Sequence, residues 1–356
     1  MEFGIFDWID DDGSPPGELL ARHLDLVALA DDLGCVAYHL AEHHGTPLGA
    51  VPSPNLFLAA AAVRTSRIRL GAMVNVLPLY DPVRLAEEVC FLDHLSGGRL
   101  DLGVGRGGAP AELAVYGLRP DEARARYEHV FETLLATIAG EERLTDEGST
   151  GHPAAAIFQR PRQTPYPPLW YPTSNLSTVP WLGSQGLSTL FSSFLLDHAG
   201  ADPASAVRTY AQHWQAARDR PGRLNAHVPA PTVGVIRHVV VADDDESAHA
   251  LARPALDRFF DTFNKKWIEA GLGPYVDYDY DRFEEKRHVL VGSAGRVREV
   301  LGELMAVEGN YMAGVFSFGG LPADTCLRSL RLFASEVAPG LPVVTLAERA
   351  AQAGFS

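Results

Sequence analysis

Hydrophobic and polar positions follow two periods along this chain, and its first half switches regularly between them. Short runs rich in β-branched and aromatic residues, bounded by glycine or proline, are typical of buried strands. Longer stretches with apolar residues three or four positions apart are typical of helices. The pattern predicts eight strands, at residues 2–6, 36–40, 68–77, 99–104, 169–171, 187–192, 233–242 and 311–318.

Predicted helices separate most of these strands, at residues 17–33, 55–65, 82–94, 174–185 and 204–218. Strand–helix alternation predicts a parallel sheet. Eight strands, nearly all followed by helices, favour a closed (β/α)8 TIM barrel of the α/β class over an open sheet. The length of 356 residues is sufficient, since such a barrel needs about 250 residues and often carries insertions.

Two segments, residues 140–167 and 259–290, do not fit the repeating unit. Long segments of this kind within a domain are often lids or binding loops. We therefore expect one domain over residues 1–356, with insertions after strands, in which 259–290 is a lid or a substrate loop.

The composition is that of an ordinary globular protein, with 46% hydrophobic and 21% charged residues. A formal charge of −15 argues against nucleic-acid binding, which usually needs a basic surface. Three widely spaced cysteines indicate neither a disulfide framework nor a metal ribbon. We expect no signal peptide, and no apolar run in the sequence approaches the length of a transmembrane helix. We expect a cytoplasmic protein that binds neither nucleic acid nor a membrane.

An acid and two histidines, Glu42-His43-His44, follow the second predicted strand. The carboxyl ends of strands are where β/α barrels carry their chemistry, and an imidazole suits proton transfer near neutral pH. Because neighbouring residues on a strand point to opposite faces, we expect at most one of His43 and His44 to face a pocket directly. The alternative is that these histidines are hydrogen-bonded structural residues.

Two further segments are candidates for binding an anion. Residues 103–108 run from the fourth strand into a glycine-rich turn that contains Arg106, whose guanidinium matches the geometry of a phosphate. The alternative is a plain turn with a solvated arginine. After the fifth strand, Ser174 or Ser177 could bind phosphate at a helix start, or simply cap that helix.

Asn75 is a polar residue within the apolar third strand. A buried amide needs hydrogen-bond partners, so Asn75 either satisfies backbone groups or contacts a ligand.

The motifs taken together resemble the bacterial luciferase-like flavin-dependent monooxygenases. The similarity extends over most of the chain and is weak across residues 140–167 and 259–290. It rests on segments in a fixed order, at residues 3–6, 41–44, 67–71, 77–78, 81–84, 92–99, 103–107, 314–322 and 332–339.

This resemblance implies a β/α barrel that binds reduced FMN at the carboxyl ends of its strands. It also implies a separate flavin reductase, and molecular oxygen that adds to the flavin to form a peroxide. The peroxide would oxidise a small or medium organic substrate by hydroxylation or Baeyer–Villiger insertion. By resemblance, His43 is the active-site histidine with His44 as its neighbour, and Arg106, Ser174 and Ser177 form the flavin-phosphate region.

The resemblance further implies a homodimer, and a cis peptide between Met73 and Val74 beneath the flavin ring. Asn75 would then contact flavin or substrate. The chain also departs from the luciferases proper, which have a cysteine where this chain has Gly105 and an acidic residue where it has Thr173. Both departures argue against light emission, and neither argues against flavin oxygenation.

Three alternatives remain. Relatives on the same barrel use a deazaflavin to transfer hydride without oxygen. A barrel of this family can also lose activity and remain a flavin-binding protein. A metal-dependent hydrolase with His43 or His44 as ligand is disfavoured, because His23, His94 and His129 lie on helix-like segments and the sequence lacks metal-site spacing. We expect no metal site.

Overall fold

Nine parallel strands form one sheet in the computed structural model, which describes residues 2–140, 157–342 and 344–352. All eight predicted strands are present, and β8 is the additional one. The strands are β1 (Glu2–Asp7), β2 (Ala37–Leu40), β3 (Arg69–Val76), β4 (Leu100–Gly105), β5 (Leu169–Trp170), β6 (Thr189–Ser192), β7 (Val233–Ala242), β8 (Val289–Ser293) and β9 (Tyr311–Val315).

Eight of these strands close into a ring. The hydrogen-bonded order is β5-β4-β3-β2-β1-β9-β7-β6. A bridge between Trp170 and Ser188 joins the two ends, and the Tyr171 amide donates to the Ser188 carbonyl at 2.8 Å. The ninth strand, β8, pairs with the carboxyl-terminal half of β7. The predicted (β/α)8 barrel is therefore confirmed, with one extra strand.

Helices surround the ring, and most of them begin where the sequence supplies proline or a capping side chain. They are α1 (Pro16–Asp32), α2 (Pro54–Ala62), α3 (Pro82–Leu95), α4 (Pro110–Val115), α5 (Pro120–Ala139), α6 (Val179–Gln185), α7 (Ser193–His198), α8 (Pro203–Ala217), α9 (Asp245–Glu269), α10 (Tyr280–Glu285), α11 (Ala294–Met305), α12 (Ala323–Leu332) and α13 (Leu346–Gln352). In α3, for example, Asp81 accepts from the amides of Val83 and Arg84, which satisfies donors that the first turn leaves free.

The sequence pattern assigns no regular strand–helix unit to the two predicted insertions, 140–167 and 259–290. Of the segment 140–167, residues 141–156 lie outside the described residues. The prediction that 259–290 fits no regular unit is wrong, because 259–269 completes the helix α9, 280–285 forms α10, and β8 begins at Val289. Its role as a lid stays a prediction.

The helix α9 connects the barrel wall to the carboxyl-terminal face. Phe259 and Phe260 are buried against His238 of β7, with the Phe259 ring centroid 4.5 Å from the imidazole. One and two turns later, Phe263 and Trp267 reach the cavity described below. Among the described residues, none of the helices has both the length and the apolar character needed to cross a bilayer.

Candidate active site

A cavity of about 1230 Å³ lies at the carboxyl ends of the barrel strands, where the fold class places its chemistry. Its lining comes from the residues that follow β1, β2, β4 and β5, and from the end of α9. Ligand pockets commonly measure about 300–1,000 Å³. This cavity therefore has room for a cofactor together with a second molecule.

His43 lies just after β2 and lines the cavity with 21% of its side chain exposed. Its Nδ1 lies 2.9 Å from Oε1 of Glu112. A carboxylate can only accept, so this contact assigns the hydrogen to Nδ1 and leaves the lone pair of the neutral ring on Nε2. In the part of the chain that the structure describes, Nε2 has no hydrogen-bond partner. It is free to exchange a proton with a bound molecule.

Glu112 holds the loop as well as the ring. Its second oxygen, Oε2, accepts from the backbone amide of His44 at 3.1 Å. On the other side of His43, the indole of Trp8 stacks on the imidazole with a centroid distance of 5.2 Å and an interplanar angle of 27°. Gly49 brings the following turn close, since a Cβ there would lie 2.7 Å from the His43 Cβ. The orientation of the imidazole is thus fixed on three sides.

His44 has a different environment. Its Nε2 lies 2.7 Å from Oε1 of Glu42, and the hydroxyl of Tyr116 lies 2.9 Å from its Nδ1. Glu42 also accepts from the amide of Val76 and from the hydroxyl of Tyr80. Burial beside this carboxylate raises the pKa of Tyr80. Both imidazole nitrogens of His44 are therefore engaged, and Glu42, to which His44 is hydrogen-bonded, links the end of β2 to β3.

The prediction that at most one of the two histidines faces the pocket is wrong, because both His43 and His44 line the cavity. β2 ends at Leu40. The two histidines lie in the loop beyond it, where the alternation of a strand no longer applies. Of the two, only His43 keeps a nitrogen free.

Arg106 is exposed to the cavity from the loop after β4. Within the described ranges no carboxylate pairs with its guanidinium. Its charge influences Tyr171, which follows the neighbouring strand β5: burial raises the pKa of that phenol, and the nearby Arg106 partly opposes the rise. An unpaired cation at a ligand cavity suits a phosphate or another anion.

Ser174 and Ser177 line the same cavity in the loop after β5. The start of the short helix 176–178 is capped by Asn175, whose Oδ1 accepts from the amide of Ser177 at 3.1 Å and from its hydroxyl at 2.9 Å. The hydroxyl of Ser177 is thus already a donor within the loop. Three residues predicted from separate segments, Arg106, Ser174 and Ser177, therefore surround one cavity.

Met73 and Val74 form part of the cavity lining, and the peptide bond between them is cis, as expected. Gly105 lies directly against this segment, because a Cβ at Gly105 would meet Cγ2 of Val74 at 2.5 Å. The departure from the cysteine of the luciferases proper therefore has a local reason. A larger residue at 105 would displace the Val74 side chain.

Asn75 is buried and is not among the described residues that line the cavity. Its Nδ2 donates to the carbonyl of Gly103 at 2.9 Å, which joins β3 to β4. Of the two possibilities that the sequence left open, this geometry matches the first, a side chain that satisfies a backbone group. The predicted contact of Asn75 with a cofactor or substrate gains no support from its position.

Sequence reasoning missed Glu112, Trp8 and Tyr116. Glu112 and Tyr116 belong to α4 and the turn after it, an element that the pattern did not predict. Trp8 follows β1 at a position that carries no motif. No cluster of three or more His, Cys, Asp or Glu side chains suited to a metal ion occurs among the described residues.

Comparison with known proteins relates most of the chain to one family. A family model for luciferase-like monooxygenases matches residues 1–310. The 4-hydroxyprotoasukamycin monooxygenase of Streptomyces nodosus subsp. asukaensis is 30% identical over 92% of this chain and 88% of its own length. The oxygenase component of the flavin-dependent trigonelline monooxygenase of Acinetobacter baylyi is 25% identical, over 86% of each chain.

Solved structures agree. The monooxygenase RslO1 of Streptomyces bottropensis superposes with a TM-score of 0.79 and 26% identity, covering 95% of this chain and 99% of its own. Two structures share the fold at lower identity. One is the oxygenating constituent of 3,6-diketocamphane monooxygenase from Pseudomonas putida with FMN, at a TM-score of 0.77, 19% identity and 97% and 99% coverage. The other is the coenzyme F420 dependent tetrahydromethanopterin reductase of Methanopyrus kandleri, with a TM-score of 0.66 and 18% identity. It covers 96% of this chain and 99% of its own.

Proposed function

The chain belongs to the luciferase-like monooxygenase family, and on that premise we propose that it is the oxygenase component of a two-component system. It takes reduced FMN from a separate flavin reductase and uses molecular oxygen to oxidise a small or medium organic substrate. The oxidation is a hydroxylation or a Baeyer–Villiger insertion. The relative from Acinetobacter baylyi, which is itself an oxygenase component, supports the two-component arrangement.

One observation carries this proposal. A histidine with a free Nε2, oriented by Glu112, lies in the same large cavity as the unpaired guanidinium of Arg106. A proton-transfer group and an anion anchor in one cavity at the carboxyl face suit a phosphate-bearing cofactor that takes part in chemistry. A simple binding protein has no need of an imidazole held in this way.

The donor set of the cavity fits FMN. Arg106 and the hydroxyl of Ser174 would hold the phosphate, and Ser177 would contribute its backbone and side chain through the loop that Asn175 caps. Met73 and Val74 offer an apolar surface to the flavin ring. When bound, the reduced flavin supplies the electrons with which oxygen is activated.

In this proposal the protein itself contributes orientation and proton transfer. His43 accepts or donates a proton at Nε2, and Glu112 keeps Nδ1 protonated so that Nε2 is the reactive nitrogen. Glu42 accepts a hydrogen bond from the Val76 amide and so holds the end of β2 against β3, and His44 is hydrogen-bonded to Glu42. Together these contacts fix the loop that carries His43. In this proposal His44 therefore positions His43 and does not itself transfer a proton to or from the substrate.

The segment 259–290 supplies the water-excluding cover. Its Trp267 and Tyr275 stack on each other at 4.4 Å and 16°, and both line the cavity. Reactive intermediates of oxygen chemistry must be kept from water. A pair of large aromatic side chains at the cavity is suited to that task.

We propose further that the protein is a cytoplasmic homodimer. The helices α2 and α3 lie side by side, linked by a contact from Asn55 to Glu88 at 3.4 Å, and present Leu56, Val63 and Phe91 to solvent with exposures of 74%, 69% and 58%. Large apolar side chains exposed on neighbouring helices are a common feature of association surfaces. The three cysteines are free and buried, which suits a reducing compartment.

A second candidate function is hydride transfer with a deazaflavin, without oxygen. The shared fold of the coenzyme F420 dependent reductase from Methanopyrus kandleri is the observation that favours it. Both functions use the same cavity face of the barrel. They differ in whether oxygen enters the product.

Isotope labelling tests the proposed function. The protein is incubated with FMN, a flavin reductase, NADH and a panel of organic compounds under heavy-isotope oxygen gas, and products are analysed by mass spectrometry. Incorporation of one labelled oxygen atom into a product supports the proposal. A parallel incubation contains the deazaflavin in place of FMN. An unlabelled oxidised or reduced product that forms only with the deazaflavin supports the second candidate. FMN binding with no product from any compound is the result expected of a flavin-binding protein without activity.

A further inference from the structure

The order of strands around the ring divides the cavity into two halves. β1 and β5 are four strands apart, and so are β3 and β7. In a ring of eight, each of these pairs lies on opposite sides. The loop after β5 therefore faces the loop after β1 across the cavity, and the end of β3 faces the end of β7, the strand that precedes α9.

The half at the carboxyl ends of β4 and β5, named here the polar half, carries an exposed cation and hydroxyl groups, and the rings of Tyr127 and Tyr171 line the cavity beside them. It contains Arg106 together with Ser174 and Ser177. The lining residues Met73 and Val74 of β3 and His43 after β2 come next around the ring. A flavin anchored by its phosphate at Arg106 would thus extend from the polar half towards His43.

The opposite half is formed by rings. Trp8, Phe263, Trp267 and Tyr275, named here the aromatic wall, all line the cavity. Trp8 and Phe263 meet edge to face at 6.0 Å, and Phe263 and Tyr275 lie 6.4 Å apart. Trp267 stacks with Tyr275 on one face, and no other ring contact of Trp267 occurs among the described residues.

The aromatic wall is continuous with the imidazole that would act on the substrate, because Trp8 stacks on His43. Charge at the wall is neutralised locally: Lys266, next to Trp267, lies 3.1 Å from Oε2 of Glu269. The carboxylate of Glu112 is already occupied by His43 and the amide of His44. A molecule at the wall therefore meets ring faces and edges rather than a free carboxylate.

We propose that the aromatic wall is the substrate subsite, and that the substrate is a planar aromatic compound which stacks on Trp267 and lies beside His43. The inference rests on the proposed function, because it assumes that flavin fills the polar half. Stacked or edge-to-face aromatic pairs gain free energy beyond the area they bury. A saturated ring system of the same size buries a similar area without that gain.

A matched pair of probes tests whether the cavity prefers a planar aromatic compound to a saturated one of the same size. 2-Naphthol and trans-decahydro-2-naphthol share the carbon skeleton and the hydroxyl, and only the first is planar and aromatic. Their dissociation constants are measured by calorimetry under anaerobic conditions with saturating reduced FMN. We expect 2-naphthol to bind about tenfold more tightly, the scale of one or two aromatic pairs.

Three variants locate the effect. Trp267→Leu should remove most of the preference for 2-naphthol and leave the affinity for the saturated alcohol nearly unchanged, whereas Trp267→Phe should retain the preference. Phe158→Leu is the control, because Phe158 is 99% exposed and lies outside the cavity. Circular dichroism and reduced-FMN affinity confirm that each variant is folded.

Equal affinity for the two probes overturns the inference, as does an unchanged preference in Trp267→Leu. Displacement of 2-naphthol by FMN also overturns it, because the probe would then occupy the flavin half. If reduced FMN itself does not bind, the proposed function fails instead, and the same probe comparison without flavin still tests the aromatic wall.

Discussion

At the scale of single residues, Glu112 determines what His43 can do. Without an acceptor at Nδ1 the imidazole would exchange tautomers, and the nitrogen facing the cavity would carry a hydrogen part of the time. The contact at 2.9 Å assigns that hydrogen to Nδ1, as a neighbouring carboxylate commonly does for a working histidine. Trp8 and Gly49 then limit the rotation of the ring.

Removal of the His43 imidazole should therefore lower turnover and leave the affinity for reduced FMN nearly unchanged. We expect His43→Ala to lower substrate oxidation about a hundredfold or more, the usual contribution of a general acid or base, with reduced-FMN affinity little changed. His213→Ala, which alters an exposed histidine of α8 outside the cavity, is the control. Turnover within a factor of two of the wild type would exclude a role for His43.

Arg106 should act on binding instead. In Arg106→Ala we expect reduced FMN to bind more weakly by about 1.5–3 kcal/mol, the scale of a hydrogen bond to a charged group. Arg331→Ala, on the exposed surface of α12, removes the same charge away from the cavity. An equal loss of FMN affinity in the two variants would indicate a general charge effect. Unchanged affinity in both would mean that the phosphate binds at another part of the cavity.

The sequence indicated His43 and Arg106 because each lies beside a recognisable strand end. It did not indicate Glu112, which is 69 positions beyond its partner, because no local pattern relates residues so distant in the chain. For Asn75 the sequence left two possibilities open, a backbone partner or a ligand. The structure supplies a backbone partner for its Nδ2, the carbonyl of Gly103 on the neighbouring strand.

At the scale of elements, the barrel was predictable because each strand is a short apolar run between turns. α9 and β8 were not, since residues 259–290 mix rings, charges and glycine in a way that matches neither period. Tertiary contacts with β7 and β8 fix them, and Phe259 and Phe260 are buried in those contacts. The same helix then delivers Phe263 and Trp267 to the cavity.

His238 gives this packing a pH dependence. It lies on β7 among Phe259, Phe318 and Phe194 with neither ring nitrogen hydrogen-bonded, and burial lowers its pKa to about 3. The folded state keeps the ring neutral, whereas the unfolded chain protonates it below its ordinary pKa of about 6.5. This contribution to stability is present above that pKa and is lost as pH falls towards 3.

His238→Leu removes the titration. Between about pH 6.5 and pH 4.5, the free energy of unfolding of the wild type should fall by about 2–3 kcal/mol more than that of the variant. Urea unfolding at a series of pH values measures the difference. Parallel curves for the two proteins would mean that His238 takes up a proton in the folded state.

At the scale of the whole molecule, the apolar face of α2 and α3 should hold two copies together. Phe91→Glu places a charge among these exposed apolar side chains and should convert a dimer to monomers in sedimentation equilibrium, with the cavity and FMN affinity retained. Val307→Glu introduces the same charge at another exposed apolar position and should leave the dimer intact. A wild-type protein that is monomeric at micromolar concentrations would contradict the proposed assembly.

The central claim is that the cavity binds reduced flavin and directs its reaction with oxygen. Anaerobic titration with reduced FMN, followed by rapid mixing with oxygenated buffer while the absorbance of oxidised flavin is recorded, tests it most directly. We predict saturable binding that Arg106→Ala weakens, and a return of oxidised flavin that is delayed relative to free FMN. Absence of binding, with binding of the reduced deazaflavin in its place, would contradict the claim and establish hydride transfer as the function of this barrel.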